Sequence, residues 1–183
     1  MTLIRDSKIK MTTPEGTAVY PHLAETDSFQ MKNYGKLEYN TKLKFTESEA
    51  AEFVAKIDEA CEAVHQEYVD EMLATTGEGA GKIKAAAKAL NVYKPYDIVF
   101  DDDTGEPTGE VLFKAKCSAG GTTKAGKDWT RELPIYDSTG APIPVNARGN
   151  LKLWGGSRIK LSVELIPFNS AALNGAGYSL RIQ

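Results

Sequence analysis

Apolar and polar residues alternate along the segment at 36–45. One side of the alternation carries the apolar residues Leu37, Tyr39, Leu43 and Phe45, and the other carries Lys36, Lys42 and Lys44. Because successive side chains of a strand point to opposite faces, this pattern predicts a half-buried strand with a cationic outer face. The preceding segment is interrupted by the turn-forming residues Pro14, Gly16, Pro21 and Gly35. We therefore expect residues 1–35 to be irregular.

The next segment predicts a long amphipathic helix. Thr46 and Glu49 have the spacing of a capping box, in which a hydroxyl and a carboxylate cover the free amides at a helix start. Apolar residues then recur at steps of one, three or four, at Phe53, Val54, Ile57, Cys61, Val64, Tyr68 and Met72. This spacing predicts about seven turns of helix with one buried face. After a glycine-rich stretch at 77–81, a second short helix is predicted at 82–90 because alanine favours helix.

From residue 93 onward the pattern is that of β-structure. A short apolar strand at 98–100 is followed by an acidic turn at 101–105. Alternating strands are then predicted at 111–117, 129–135, 157–167 and 178–183, with glycine-rich turns between them. One long helix after the first strand, and no alternation of strands with helices, predict a mainly β (α+β) sandwich or small barrel.

The composition is that of a globular protein of one domain. Of 183 residues, 42% are apolar and 26% are charged, which is enough for a buried core. No apolar run is long enough to span a membrane, and the first ten residues lack the apolar region of a secretory signal. Cys61 and Cys117 lie among apolar neighbours, so we expect buried free thiols and a reducing cytoplasm.

Charge is unevenly distributed, although the formal net charge is only −3. Residues 47–78 contain ten acidic residues and one lysine, whereas residues 111–183 contain ten basic and four acidic residues. A basic half favours a polyanionic partner. Two ordinary solvated faces would produce the same contrast, so charge alone leaves both interpretations open.

Two loops that invite a ligand-binding interpretation fail on spacing. Gly77 and Lys82 are one residue too close for a phosphate-binding loop, and Ile83 follows the lysine where Ser or Thr is required. A calcium loop that began at Asp101 would need its closing glutamate at the position of Leu112. A helix–helix linker and an acidic turn are the better interpretations.

Catalytic signatures are also missing from the sequence. His22 and His65 have no Cys or His partner at the spacing of metal ligands. No Gly-x-Ser-x-Gly motif marks a nucleophilic serine. We therefore expect a binding protein rather than an enzyme, without a metal or cofactor.

The residues suited to bind a polyanion lie on the outward strand faces and in the loops between them. The cationic candidates are Lys36, Lys42, Lys44, Lys114, Lys116, Lys124, Lys127, Arg131, Lys152, Arg158 and Lys160. The aromatic candidates, which could stack on any base, are Trp129, Tyr136, Trp154 and also Tyr34. If the strands curl into one barrel, the cationic faces align into a groove that follows a phosphate backbone. Either tryptophan could instead lie in the core, because Trp is usually highly buried.

Several segments resemble the single-stranded-DNA-binding proteins of tailed bacteriophages. These segments lie at 113–116, 133–143, 153–162, 167–168 and 175–180. The matching parts are a Pro-x-x-Asp-x-x-Gly turn at 134–140, a Gly-Gly strand start that leads to Ile159 and Ser162, and Gly177 before Leu180. Tyr20-Pro21 and the capped helix after the first strand are also similar.

The resemblance implies a five-stranded barrel of the oligonucleotide-binding (OB) type with a long helix inserted after the first strand. It implies a single DNA-binding domain over residues 1–183, with the helical insertion at about 46–90. The implied function is sequence-independent coating of single-stranded DNA in phage replication and recombination, in the host cytoplasm, by a monomer or homodimer. Such proteins usually end in an acidic tail that contacts replication proteins. The sequence stops at Gln183, so either this tail is absent or it was removed.

Two other functions remain open at the level of sequence. An RNA or double-stranded-DNA binder could use the same fold, although no helix carries the Arg and Asn pattern that reads base edges. A phage structural or assembly protein could use the acidic helix as its interaction surface, in which case the cationic strand faces are incidental.

Overall fold

A computed structural model describes residues 4–183, so the start of the predicted irregular segment, residues 1–3, lies outside it. The strands in chain order are β1 (Ile9–Thr12), β2 (Gly16–His22), β3 (Glu38–Thr46), β4 (Asn91–Tyr93), β5 (Tyr96–Phe100), β6 (Pro107–Ser118), β7 (Gly120–Thr122), β8 (Asp128–Thr130), β9 (Arg158–Ile159), β10 (Ser162–Ser170) and β11 (Gly175–Ile182). The helices are α1 (Ser28–Tyr34), α2 (Glu47–Ala74) and α3 (Ala80–Ala89), with short 3-10 helices at Ile4–Asp6 and Val145–Asn150.

The main sheet curls into a barrel. From neighbour to neighbour it runs β2, β3, β6, β11 and β10. Two short strands close the ring between β10 and β2. β1, which lies just before β2 in the chain, pairs with β10, and β9, which lies just before β10, pairs with β2. The β6–β11 pairing is parallel and the other pairings of the ring are antiparallel. The predicted barrel of the OB type is therefore confirmed.

The N-terminal region contains two strands and a helix, so the prediction that it is irregular was wrong for most of residues 9–34. Gly16 lies within β2 rather than in a turn. This position requires glycine, because a Cβ there would stand 2.4 Å from the Phe45 ring. Asp27 caps α1 by accepting hydrogen bonds from the backbone amides of Phe29 and Gln30, at 2.9 and 3.2 Å. In full chain order the long helix follows β3, which is the second long strand of the barrel.

The capped amphipathic helix is confirmed as α2. The backbone amide of Glu49 donates to Thr46 Oγ1 at 3.3 Å, and the amide of Thr46 donates to Glu49 Oε2 at 2.9 Å. Its buried residues are Ala50, Phe53, Ile57, Cys61 and Val64. The Phe53 ring meets Phe113 of β6 edge to face, with 5.1 Å between the ring centroids. The helix thus packs on the inward face of the sheet, and most of its carboxylates face solvent.

The strand predicted at 129–135 is much shorter in the structure. β8 ends at Thr130 and pairs only with β7, in a separate two-stranded sheet. Pro134 has no amide hydrogen with which to extend a ladder, and residues 131–157 form a long connection instead. Buried Leu133 and partly buried Leu153 anchor this connection to the core.

Within residues 4–183, no helix combines the length and the apolar character that crossing a bilayer requires. Cys61 and Cys117 are both free and buried, as predicted. Desolvation raises the pKa of each thiol, so both remain protonated at neutral pH.

Candidate nucleic-acid interface

The outward faces of β3, β6 and β11 bring cationic side chains from distant parts of the chain side by side. Lys42 of β3 lies directly opposite Lys114 of β6. Two residues further along β6, Lys116 lies opposite Asn40 on one side and Arg181 of β11 on the other. Like charges at directly opposed positions destabilise a sheet, because their Cβ atoms are only about 4.5–5.5 Å apart. The fold therefore places cations at opposed positions on a single face, where neighbouring carboxylates partly offset their repulsion.

A shallow groove of about 330 Å³ runs over this face. Lys42, Lys114 and Lys116 line it together with Asn40 and Ser179, so β3, β6 and β11 all contribute to its floor. Further lining residues include the aromatic residues Tyr20 and Tyr93 and the carboxylates Asp27 and Glu38. The groove thus combines cations, hydrogen-bonding groups and rings, which is the chemistry of a nucleic-acid surface.

Two of the groove lysines are paired with carboxylates from neighbouring strands. Lys114 Nζ lies 2.6 Å from Asp97 Oδ2, and Lys116 Nζ lies 4.0 Å from Glu38 Oε2. The lysine side chains nevertheless remain 53% and 64% exposed. Exposed pairs of this kind contribute only about 0–1 kcal/mol, so a phosphate could replace either carboxylate at small cost. Lys42 forms no ion pair within the described residues 4–183.

Lys44 and Arg158 share the outward face but do not line the groove. Thr17 of β2 separates them, because it lies opposite Lys44 on β3 and opposite Arg158 on β9. Lys44 Nζ lies 3.0 Å from Glu110, and Arg158 Nε lies 3.3 Å from Glu15. These two cations form a second row on the sheet, and both are neutralised by carboxylates.

Lys36 stands at one end of the groove. It lines a second hollow together with Lys116 and Glu38, which also belong to the groove. The backbone amide of Ala119 donates to the carbonyl of Leu37 at 2.8 Å, which ties the end of β6 to this region. Lys36 therefore extends the cationic surface beyond the last sheet pair.

The β7–β8 hairpin continues from the same end. Lys124 and Lys127 lie in its exposed tip, and Trp129 is 40% exposed. The Trp129 indole covers Gly121, where a Cβ would lie 3.4 Å from the indole nitrogen. Arg131 follows β8, and its amide donates to the carbonyl of Ala119 at 2.7 Å. The structure places these four candidates beyond the groove rather than in it.

The remaining candidates lie on the connection before β9 or between β9 and β10. Trp154 is 66% exposed and Tyr136 is 59% exposed, so neither ring belongs to the core. The amide of Gly156 donates to the carbonyl of Ala18 at 2.8 Å, which places the Trp154 turn beside β2. Tyr136 forms an isolated bridge with Pro142, whereas Lys152 and Lys160 are exposed. All four of these candidates, Tyr136, Lys152, Trp154 and Lys160, lie outside the groove lining.

Sequence analysis missed Arg181 and Tyr20. Arg181 shares strand parity with Ser179, so the alternation of the predicted last strand could have identified it as outward-facing. It contacts the buried carboxylate of Glu164, and this hydrogen bond holds the pKa of Glu164 below its usual range. Tyr20 had no such signal, because its region was predicted to be irregular.

A polar network supports the groove where β2, β3 and α1 meet. The Asn40 side-chain amide donates to Asp27 Oδ2 at 2.8 Å. This bond, followed by the backbone amide of Gln30 and the nearby His22, lowers the pKa of Asp27. The buried carboxylate is thus ionised and saturated by internal donors, which orients Asn40 at the groove floor.

The groups tested for catalysis or metal binding have structural roles. Among residues 4–183, no cluster of three or more His, Cys, Asp or Glu side chains is arranged to hold a metal ion. His65 Nε2 bonds the carbonyl of Leu90 at 2.9 Å and so joins α2 to the end of α3. Asp101 accepts a hydrogen bond from the amide of Thr104 at 2.8 Å and so caps its own acidic turn.

The chain is similar in sequence and in fold to known proteins. Residues 16–183 match the family model described as "Single-stranded DNA-binding protein, Bacteriophage T7". The crystal structure of gp2.5, a single-stranded DNA-binding protein encoded by bacteriophage T7, is similar with a TM-score of 0.69 and 22% identity, over 96% of this chain and 84% of that one. The single-stranded DNA-binding protein of bacteriophage Enc34, in complex with ssDNA, is similar with a TM-score of 0.59 and 14% identity, over 94% of this chain and 82% of that one.

No functionally curated protein sequence matches the chain. The family model nevertheless extends from β2 to the C-terminal residue, and it therefore includes the strands that build the groove. The likeness of the gp2.5 structure extends over the same strands and supports the same fold. Since a family match over this much of the sequence shows membership, the chain belongs to the family of the bacteriophage T7 single-stranded DNA-binding protein.

Proposed function

We propose that this protein binds single-stranded DNA without sequence preference and coats it during phage DNA replication and recombination. The backbone of the DNA lies along the groove, where Lys42, Lys114 and Lys116 contact its phosphates. The observation that carries this proposal is that Lys42, Lys114 and Lys116, from two neighbouring strands, line one groove. The repulsion between Lys42 and Lys114, which lie directly opposite each other, decreases when a phosphate binds between them.

When DNA binds, the groove lysines exchange their carboxylate partners for phosphates. In the free protein Asp97 and Glu38 occupy Lys114 and Lys116. A phosphate displaces these carboxylates, and the DNA releases its condensed counterions, so affinity falls steeply as salt concentration rises. The Enc34 relative, whose structure was determined in complex with ssDNA, supports single-stranded DNA as the ligand of this barrel.

Exposed rings favour a single strand over a duplex. Tyr20 lines the groove, the turn that carries Trp154 lies beside β2, and Trp129 lies on the hairpin beyond the end of the groove. The face of an unpaired base can stack on such a ring, whereas the bases of a duplex are already stacked on each other. Because every base has a flat face, stacking contributes affinity without selecting a sequence.

The proposal is one of binding, not catalysis, by a single domain. A single core cluster joins the barrel strands to α2, which supports one DNA-binding domain over 1–183 with the helical insertion at about 46–90. A phage protein of this family acts where phage DNA is replicated, so we place it in the host cytoplasm. We propose that the eight further cationic candidates guide DNA at longer range. These are Lys36, Lys44, Lys124, Lys127, Arg131, Lys152, Arg158 and Lys160.

The groove is tested with the triple variant Lys42→Ala/Lys114→Ala/Lys116→Ala and a fluorescent ~16-nucleotide oligo(dT), a length within the range that one OB fold covers. The plot of log affinity against log salt should become shallower by about 2, because each phosphate neutralised on a single strand adds about 0.7 to the slope. Affinity for oligo(dA) and for mixed sequences should fall by the same factor. The triple variant Lys82→Ala/Lys84→Ala/Lys88→Ala on α3 is the control, since it removes the same number of lysines from outside the groove lining.

The proposal fails if the triple variant keeps the affinity and salt slope of the unaltered protein. It also fails if the unaltered protein shows no shift of oligo(dT) at low salt. Competition with unlabelled duplex DNA and RNA of the same length completes the test: duplex or RNA that competes better than the single strand would replace the proposed ligand.

A further inference from the structure

Tyr20 departs from the pattern of its strand. In β2 the side chains of Gly16 and Ala18 are buried on the inward face, so regular alternation would bury Tyr20 as well. Its side chain is instead 77% exposed, the most of any large hydrophobic residue within 4–183. The β2–β3 register shifts between Val19 and His22, which marks a bulge at this point. The bulge turns the Tyr20 ring out of the barrel.

The backbone conformation at this bulge is strained. Tyr20 has a φ of 48°, in the left-handed region that bulky residues rarely occupy. Burial of the ring does not offset this strain, because the ring is in solvent. Residues held in such conformations cluster at sites where the strain serves binding or catalysis.

The ring lies where a bound strand of DNA would pass. Tyr20 lines the groove together with Lys42, Lys114 and Lys116. Its neighbour Val19 lies directly opposite Lys42, so the ring is one residue from the row of phosphate-binding cations. The Trp154 turn pairs with Ala18 on the other side of β2. An exposed ring therefore lines the same groove as the cations, one residue along β2 from the position opposite Lys42.

We infer that Tyr20 is a base-stacking residue, held out of the barrel by the strained bulge in order to receive one unpaired nucleobase. This inference rests on the proposed function. The ligand class follows from the surface, because a phosphate is drawn to the lysines, whereas the flat face of a neutral phenol matches the flat face of a base. The ring does not select among bases, in keeping with sequence-independent binding.

The test compares two ligands of equal length, oligo(dT) and an abasic strand with the same phosphate backbone and no bases. Tyr20→Ala should bind oligo(dT) roughly tenfold more weakly, within the range measured when one stacking ring is removed, and should bind the abasic strand as the unaltered protein does. Tyr20→Phe keeps the ring and should bind both ligands normally. The triple lysine variant serves as the contrast, since it should lose affinity for both strands alike.

The variant Tyr20→Gly distinguishes loss of the stacking ring from damage to the fold. Glycine accepts a positive φ without strain, so this variant should have a melting temperature at least equal to that of the unaltered protein while losing affinity for oligo(dT). Equal loss of the two ligands by Tyr20→Ala, or normal oligo(dT) binding by Tyr20→Gly, would overturn the stacking role and leave the lysine groove standing. Absence of oligo(dT) binding by the unaltered protein would overturn both.

Discussion

The inward and outward faces of β3 and β6 differ in the interactions that their side chains make. On the inward face, Phe45 and Phe113 are almost fully buried, and their rings meet edge to face at a centroid distance of 5.8 Å. On the outward face, Lys42, Lys114 and Lys116 alternate with these residues along the same strands. The inward side chains are held in place by packing. The outward lysines either form exposed ion pairs or form no ion pair. Folding therefore depends on one set of alternate residues of these two strands, and the proposed DNA contacts lie on the other set.

The position of α2 extends this comparison. The helix packs against the inward face, and none of its residues lines the groove. One of its carboxylates, Glu49, lies 3.5 Å from Nη2 of Arg158, in the second cationic row. The groove itself is lined by three lysines and two carboxylates. The negative net charge of the chain says little about the field that a DNA strand would encounter.

The largest effect is expected from Phe113→Ala on the inward face. Phe113 is 1% exposed and contacts Phe45, Phe53 and Tyr96 through its ring. Its removal should lower the free energy of unfolding by about 3–5 kcal/mol, measured by urea denaturation. Leu112→Ala changes the neighbouring outward residue and should cost clearly less. Equal losses at the two positions would contradict the division of the strand into a packed face and an open one.

An intermediate effect is expected at Asp27, which supports the outward face from α1. Asp27→Ala removes the cap of that helix and should cost about 1 kcal/mol at neutral pH. The folded-state pKa of Asp27 is lowered, so its contribution is complete above the ordinary value of 3.8 and is lost as pH falls through the folded value. The stability difference between the two proteins should therefore shrink as pH falls below 3.8. A difference that stays constant in acid would show that the Asp27 charge is immaterial.

The smallest effect is expected from Asp97→Asn, which removes the carboxylate that pairs with Lys114. With the lysine released, affinity for oligo(dT) should rise by up to about fivefold, the equivalent of one exposed ion pair. Fluorescence anisotropy at low salt would measure the change. Such a result would separate the roles of the two faces further, because removal of one outward carboxylate would strengthen DNA binding while the packed inward face stays unchanged.

Two controls identify the cause of that increase. Asp102→Asn removes the same charge from the exposed β5–β6 turn and should leave affinity unchanged. This turn begins about 24 Å along β6 from Lys114, at 3.4 Å per residue. In a Lys114→Ala background, Asp97→Asn should lose its effect, because the lysine that it releases is gone. An increase that persists without Lys114 would assign the effect to general charge instead.

Several parts of the fold could be predicted because their signals are local. Period two along 36–45 identified which side of β3 is buried, and the Thr46–Glu49 spacing identified the start of α2. The N-terminal strands could not be predicted, because Gly16 and Pro21 have the composition of a turn. Gly16 is instead a close-approach position under Phe45, and only the packed barrel brings these two residues together.

The candidate site divides in the same way. Lys42, Lys114 and Lys116 were correctly placed on outward faces by alternation, since each strand carries its own period. Arg181 was within reach of the same argument. Tyr20 was not, because regular alternation buries it and only the bulge turns it outward. The candidates Lys124, Lys127 and Trp129 lie in or next to a loop, where no alternation of apolar and polar residues exists. The sequence could therefore identify them as candidates but could not predict their position relative to the groove.

The sequence by itself determined which side of each strand is cationic, because side-chain direction in a strand follows from the backbone period. Only the tertiary structure decided that Lys42 opposes Lys114 and that Lys116 adjoins Arg181, residues more than 60 positions apart. The physical reason is that strand register is set by the packing of the inward residues against one another and against α2. A shift of the register by two residues would keep every outward charge on the same face, so the alternation of charges along the chain could not have revealed these pairings.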